Sequence, residues 1–362
     1  MRDPIRHTVS ILVSLFTLSG LGCASAANDD SSSQSEAARR AHAHILVSDQ
    51  YNNRVVEIDG HHNIVWSFGD GSTTAGPTSV VAPNDAERIG DYTLIAGTGA
   101  PAGAEPGCEN GCADNRVILV DRQGHIVWQY GQAGVTGAGA NQLNAPVCAT
   151  FLPGGNVLIT DQGNQRVIEV DGDGNIAWQY GTTGVSGADA NQLNNPNSAL
   201  LLPNGHVLIA DENNNRVIEV NRAKAVVWSY GSPADTATLN GAAFASRLPN
   251  GHTLISDANN NRIVEVDAHG TVVFSFSTSA RTGSVANPNP TRAVRLRNGD
   301  TLISDQNNHQ VIEIDHTGKI VFSQGAIGVA GKGPNQLNGP YDAKVIGDFT
   351  GLTSPFGTGS GY

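Results

Sequence analysis

The sequence predicts an all-β fold, a six-bladed β-propeller of four-stranded antiparallel blades whose ring is closed by the carboxy-terminal strand completing blade one. Three observations carry this. A unit of four short apolar runs recurs around the chain, one large aromatic recurs in the last run of each unit, and the two ends of the repeat are complementary halves. The unit is plainest at residues 195–231, where runs at 198–202, 206–210, 217–220 and 225–230 are split by Pro203-Asn204-Gly205, the polar stretch 211–215 and the stretch 221–224. Runs of this length, rich in Val and Ile and without helical spacing, are strands joined as a meander.

In chain order, residues 1–26 carry Arg2 and Arg6, an apolar core and a small-residue run ending at Ala26, the pattern of a signal peptide. Cys23 sits in a stretch similar to a bacterial lipoprotein box, so lipidation at Cys23 is the alternative to cleavage after Ala26. The mature chain is therefore expected to be exported, periplasmic or extracellular, and possible anchoring would be through lipid with no transmembrane segment. Residues 27–43 read as a flexible linker, 44–346 as the propeller and 347–362, rich in Gly, Ser and Thr, as a loose tail.

Within 44–346 the second strands align at 44–49, 92–96, 156–161, 206–211, 252–257 and 300–305. Asp211, Asp257 and Asp305 follow one another at 46 and 48 residues, a period that suits a four-stranded blade. Third strands follow at 54–59, 116–121, 166–171, 216–221, 262–267 and 310–315. Fourth strands place Trp66, Trp128, Trp178, Trp228, Phe274 and Phe322, which uses every tryptophan for packing between blades. First strands repeat an alanine, at Ala86, Ala149, Ala199, Ala245, Ala293 and Ala343, as expected where blades converge. The last of these strands, 340–346, has no unit after it, and the first unit has no inner strand before it. Joining them removes two open sheet edges. Three similar connectors, 131–146, 181–196 and 325–340, link outer to inner strands, with glycines where positive φ is expected.

Units of the form LPNGHVLIAD-x-x-x-N-R-V-I-E-V resemble the NHL-repeat propellers, and are similar to the related aryl-sulfotransferase-type and quinone-cofactor-like bacterial propellers. The resemblance implies the ring and leaves activity open, because propellers host lyases, lactonases, transferases and binding modules alike.

The motif Asp-x-x-Asn-x-Arg recurs as Asp49/Asn52/Arg54, Asp161/Asn164/Arg166, Asp211/Asn214/Arg216 and Asp257/Asn260/Arg262. Repetition marks it as structural: Asp accepts turn N–H bonds and pairs with Arg, and Asn suits the left-handed conformation of a tight turn. Function is sought where blades differ. Next to the inner-strand proline or its equivalent the units read Tyr341-Asp342, Asn84-Asp85, Val147-Cys148, Asn197-Ser198, Ala243-Phe244 and Thr291-Arg292. Blade six also reads His309 and Gln310 where others have Asn and Arg, and blade two extends its turn to 97–115. The candidate ligand site is thus the loop-side mouth, with Asn84, Asp85, Asn197, Arg292, His309, Tyr341 and Asp342. A calcium-type ion held by Asp85 and Asp342 is the metal alternative. Cys108 and Cys112 in PGCENGC are expected to form a local disulfide, with Cys148 a buried free thiol.

Asp and Glu outnumber Lys and Arg 33 to 21, which argues against nucleic acid as a partner. The expectation is a monomeric binding module for a protein, a glycan or a small polar ligand. The enzyme alternatives are a calcium-dependent lactonase-like hydrolase and an aryl-sulfotransferase-like enzyme. No inner strand carries the histidine that the latter resemblance implies.

Overall fold

The computed structural model describes residues 43–357, so the expected signal peptide, Cys23 and most of the expected linker lie outside the described residues. Six four-stranded antiparallel sheets surround one axis. Blade one is assembled from both ends of the chain: Pro340–Val345 is its inner strand, followed outward by Ile45–Asp49, Arg54–Ile58 and Ile64–Phe68. The closing register sets Val47 opposite Ala343 and Ile45 opposite Val345. The inner strands of blades two to six are Pro83–Ile89, Pro146–Phe151, Pro196–Leu201, Ala242–Arg247 and Pro290–Arg295.

Six buried apolar clusters fill the six seams, and each contains one of the repeated alanines. At the rim the aromatics bridge blades: Trp66 and Trp178 donate their indole N–H to the carbonyls of Arg122 and Arg222 at 3.1 Å. Arg88 and Arg247 each stack 4.4 Å over Trp66 and Trp228. Gly131, Gly181 and Gly325 open the repeated connectors at φ of 91, 92 and 90°. A Cβ on Gly131 would stand 2.2 Å from the Asn115 carbonyl, so these turns need glycine for clearance as well as for φ.

The turn motif is structural in every blade. Buried Asp–Arg pairs join Asp49 to Arg54, Asp161 to Arg166, Asp211 to Arg216 and Asp257 to Arg262 at 2.6 to 2.8 Å. Blade two keeps the pair as Asp114–Arg116 at 2.6 Å. Blade six, which lacks the motif arginine, borrows Arg281 from the preceding connector for Asp305 at 2.5 Å. The left-handed residue is the one after the motif asparagine: Asn53, Gln165, Asn215, Asn261 and His309. Its side chain accepts an N–H from the residue ahead of the next blade's inner strand: Asn53 from Ala82, Gln165 from Asn195, Asn215 from Gly241 and Asn261 from Asn289. His309 Nδ1 does the same for Gly339 at 3.0 Å.

His309 is therefore a blade-to-blade staple. Burial holds its pKa below the ordinary histidine value, and only the neutral ring can accept the Gly339 N–H. Its stabilising bond is complete above the unfolded-state pKa, about 6.5, and is lost as pH falls through the folded value. His309→Asn, which installs the acceptor of blades one, four and five, is expected to match the parent in Tm at pH 8 and to exceed it at pH 5. Parallel melting curves that stay superimposed at both pH values would remove this role.

Residues 347–357 are not loose. They cross the end of the axis opposite the loops, where Leu352 packs on Leu200, Phe244 and Val294. There Thr353 Oγ1 bonds both the N–H and the carbonyl of Leu201, at 2.9 and 3.0 Å.

Candidate functional site

In all six inner strands the ladder skips the residue after the first position. Pro196 pairs with Asp211 and Ser198 with Ala210, leaving Asn197 in a bulge, and the same shift frees Tyr341, Asn84, Val147, Ala243 and Thr291. Bulges re-aim side chains, and here Asn84, Asn197 and Tyr341 face the mouth. The residue after the turn aspartate joins them: Gln50, Gln162, Glu212, Ala258 and Gln306 in blades one, three, four, five and six.

Together with the inserted loop of blade two, Gln50, Asn84, Gln162, Asn197, Glu212, Gln306 and Tyr341 enclose a cavity of about 530 Å³, whose lining also includes Tyr51, Asn110, Cys112, Asn144 and Asn195. Carboxamides dominate it. Asn289 donates to Gln306, Gln306 to Gln50 and Gln50 to Asn84, at 2.6, 2.6 and 2.7 Å. On the other side Glu212 Oε2 accepts from Asn197, Asn195 and Gln162 at 2.8, 3.3 and 3.4 Å. Glu212 is the one charged side chain of this lining among the described residues. Burial raises its pKa, against the lowering effect of these donors and of Arg292. The inserted loop is held by the Cys108–Cys112 disulfide, Cα–Cα 5.2 Å, and by a 2.7 Å bond from Asn53 to Glu105.

Beneath the mouth the axis is filled. Asn197 donates to the Tyr341 hydroxyl at 2.8 Å, and the Tyr341 ring covers the Arg292 guanidinium at 4.9 Å. Arg292 is 1% exposed, so it is not presented to any ligand. It donates to bulge carbonyls of Val147, Ala243 and Thr291 at 3.0 to 3.2 Å and to Asn197 Oδ1 at 3.0 Å. One step deeper, Lys344 Nζ lies between the two carboxylates, 2.6 Å from Asp342 and in contact with Asp85. These acids also accept N–H bonds, Asp85 from Ala149 at 2.8 Å and Asp342 from Ala86 at 3.3 Å.

Burial raises both carboxyls, but Lys344 and Arg292 outweigh it at Asp85, which lies below the ordinary value, while Asp342 remains raised at about 6. Burial pushes Glu87 to about 8 and the free thiol of Cys148 to about 12. Lys344 is driven the other way: its two carboxylate partners overcome burial and raise it, keeping the ammonium charged.

Of the residues singled out by sequence, Asn84, Asn197 and Tyr341 thus meet at the mouth. Asp85, Asp342 and Arg292 stack below it, and His309 stands apart as a staple. The ammonium of Lys344 sits where a cation between Asp85 and Asp342 would, which removes the electrostatic motive for calcium. No group of three His, Cys, Asp or Glu suited to a metal occurs among the described residues. Lys344 was legible by strand alternation, two residues past Asp342 on the same face. Glu212 was legible only by comparing blades one residue past the turn aspartate.

A comparison with curated proteins gives no match. Among solved structures, a protein of unknown function from Bacteroides caccae is similar at TM-score 0.55 and 18% identity, over 78% of this chain and 93% of that one. A putative 6-phosphogluconolactonase from Bacteroides uniformis is similar at 0.50 and 14%, over 84% and 100%. A streptogramin B lyase is similar at 0.50 and 11%, over 80% of each chain. At such identities the likeness is one of fold, and the resemblance to NHL repeats goes no further than the propeller. The family model described as outer membrane protein assembly factor BamB matches residues 113–324, more than half of the sequence. The chain belongs to that family.

Proposed function

We propose that this protein is an exported binding module that holds a polar ligand in its loop-side mouth. The observation that carries the reading is the lining itself: carboxamides from five blades and two tyrosines around one cavity, over an axis already closed by its own ion pairs. Oriented amides on rigid turns suit recognition of hydroxyl and amide groups. The lining offers no nucleophile paired with a base, and the histidines nearest the repeat's chemistry are engaged elsewhere. His44, His206 and His252 each bond a third-strand glutamate at 2.6 to 2.7 Å at the far end of their blades. A family described as an assembly factor is in keeping with binding. The disulfide supports export, as do the features of residues 1–26, which lie outside the described residues.

The test is a ligand screen by saturation-transfer NMR over saccharides, polyols and short peptides, repeated on Asn110→Trp. Asn110 is exposed on the inserted loop, so the indole fills the mouth without touching a buried bond. Ligands should lose about tenfold or more in affinity, roughly 1.4 kcal/mol, with Tm unchanged. Ligands indifferent to this substitution would place binding elsewhere and end the reading.

A further inference from the structure

We infer that the blade-four side of the mouth recognises a primary ammonium group on a hydroxylated small ligand, an amino sugar in chemical class. The inference rests on the mouth being the binding site and adds the chemistry of what it selects.

Two independent observations support it. The first is the departure of one blade at one position. After the turn aspartate, blades one, three and six carry Gln50, Gln162 and Gln306, blade five carries Ala258, and blade four alone carries a carboxylate, Glu212. The turn is a 3-10 turn in all five, so the fold itself is satisfied by glutamine there.

The second is how Glu212 fixes its neighbours. A carboxylate accepts only, so every amide that bonds it must present its NH2 group and turn its carbonyl oxygen away. Asn195 and Gln162 both donate to Glu212 Oε2. Their carbonyl oxygens, and Glu212 Oε1, have no described donor and belong to residues that line the cavity. Asn197 differs, because its Oδ1 is occupied by Arg292. The outcome is three acceptor oxygens on adjoining side chains, one of them anionic, with no cation among the described residues bonded to them. A primary ammonium carries three N–H donors and one positive charge, and it matches that set in number and sign.

The rest of the lining decides what carries the ammonium. A lysine side chain would bring a four-methylene stem that seeks a continuous apolar wall, whereas the rest of the lining sets Asn84, Asn110, Asn144 and Tyr51 among small apolar residues such as Ala100 and Ala145. Hydroxyl groups on a compact ring meet those side chains with donors and acceptors of their own.

The experiment is isothermal titration of the full mature chain and of Glu212→Gln with glucosamine, N-acetylglucosamine, glucose and Nα-acetyl-lysine. The substitution installs what three sister blades carry, so the variant should melt with the parent. Glucosamine is expected to bind about tenfold tighter than glucose or N-acetylglucosamine, and the variant to lose that preference. Equal binding of all three sugars would overturn the ammonium inference while leaving the mouth a binding site. A preference retained in Glu212→Gln would overturn it as well. Tight, Glu212-dependent binding of Nα-acetyl-lysine would overturn the hydroxylated-ligand part. No binding of any probe sinks the inference, and the Asn110→Trp screen then judges the broader reading separately.

Discussion

Truncation ahead of Pro340 is expected to abolish cooperative folding. The lost strand is the inner strand of blade one, and its removal strips Ile45–Asp49 of its ladder partner. Ala343 also leaves the seam it shares with Val47, Val56, Leu302 and Val311. The axis suffers with it, because Tyr341, Asp342 and Lys344 all lie on that strand, so Asp85 loses its ammonium and Arg292 the cover of the Tyr341 ring. Open sheet edges on blade one would then favour association of the unfolded species. Circular dichroism melting should show no sharp transition for this truncation. A chain ending after 346 should keep the transition, at a lower Tm than the parent, since it lacks the packing of Leu352, the bonds of Thr353 and the Asp348 bond to the Arg297 N–H but no strand of the ring. An unchanged melt for the longer truncation would show that blade one does not need this strand.

The second large effect is expected from Lys344→Met. Removing one partner of a buried ion pair costs about 3 to 5 kcal/mol because the remaining charge is left uncompensated, and here two carboxylates are left. The sign with pH follows from linkage. Without the ammonium, Asp85 and Asp342 have folded-state pKa values above the unfolded ones, so the folded state is favoured while they are protonated and is weakened as pH rises through those values. Chemical denaturation should show the larger deficit at pH 8 and a smaller one at pH 5. The triple variant with Asp85→Asn and Asp342→Asn should recover most of the loss. Equal deficits at both pH values, with no recovery, would make Lys344 a packing residue only. The parent should itself soften from pH 5 to 8, since burial holds Asp342 at about 6 and Glu87 at about 8.

The ring was readable in the sequence because each of its requirements is written locally and repeatedly: strand-length runs, one rim aromatic, one axial alanine and a turn motif per unit. Closure was readable because a missing half at one end matches a surplus at the other. The inserted disulfide was readable from two cysteines four apart in a chain expected to be exported. The candidate site was half readable. Comparing blades beside the inner-strand proline found Asn84, Asn197 and Tyr341, because the bulge that aims them recurs at that position.

Comparison alone could not distinguish a change of residue from a change of role. His309 departs in type but accepts the same N–H that asparagine accepts elsewhere. Gln310 departs where an arginine from outside the motif, Arg281, restores the ion pair. In both cases the substitution is local and the compensation is not, so only the three-dimensional neighbours show it. Asp85 and Asp342 were read as a calcium-type pair for want of Lys344, whose charge reaches them from the next axis-facing position of the same strand as Asp342.

Arg292 bonds carbonyls on blades three, five and six and the Asn197 side chain of blade four, so one guanidinium spans most of the ring's circumference at its narrowest point. Its reach is fixed by covalent geometry. The units themselves are close to interchangeable, and gene-level duplication of one would supply another well-formed blade with its own connector. A seventh blade would widen the circle and draw those carbonyls out of range, leaving a buried, unsatisfied cation at the centre. Arg292 is therefore a gauge of the ring's diameter, which a ring redesigned from identical consensus units would lack.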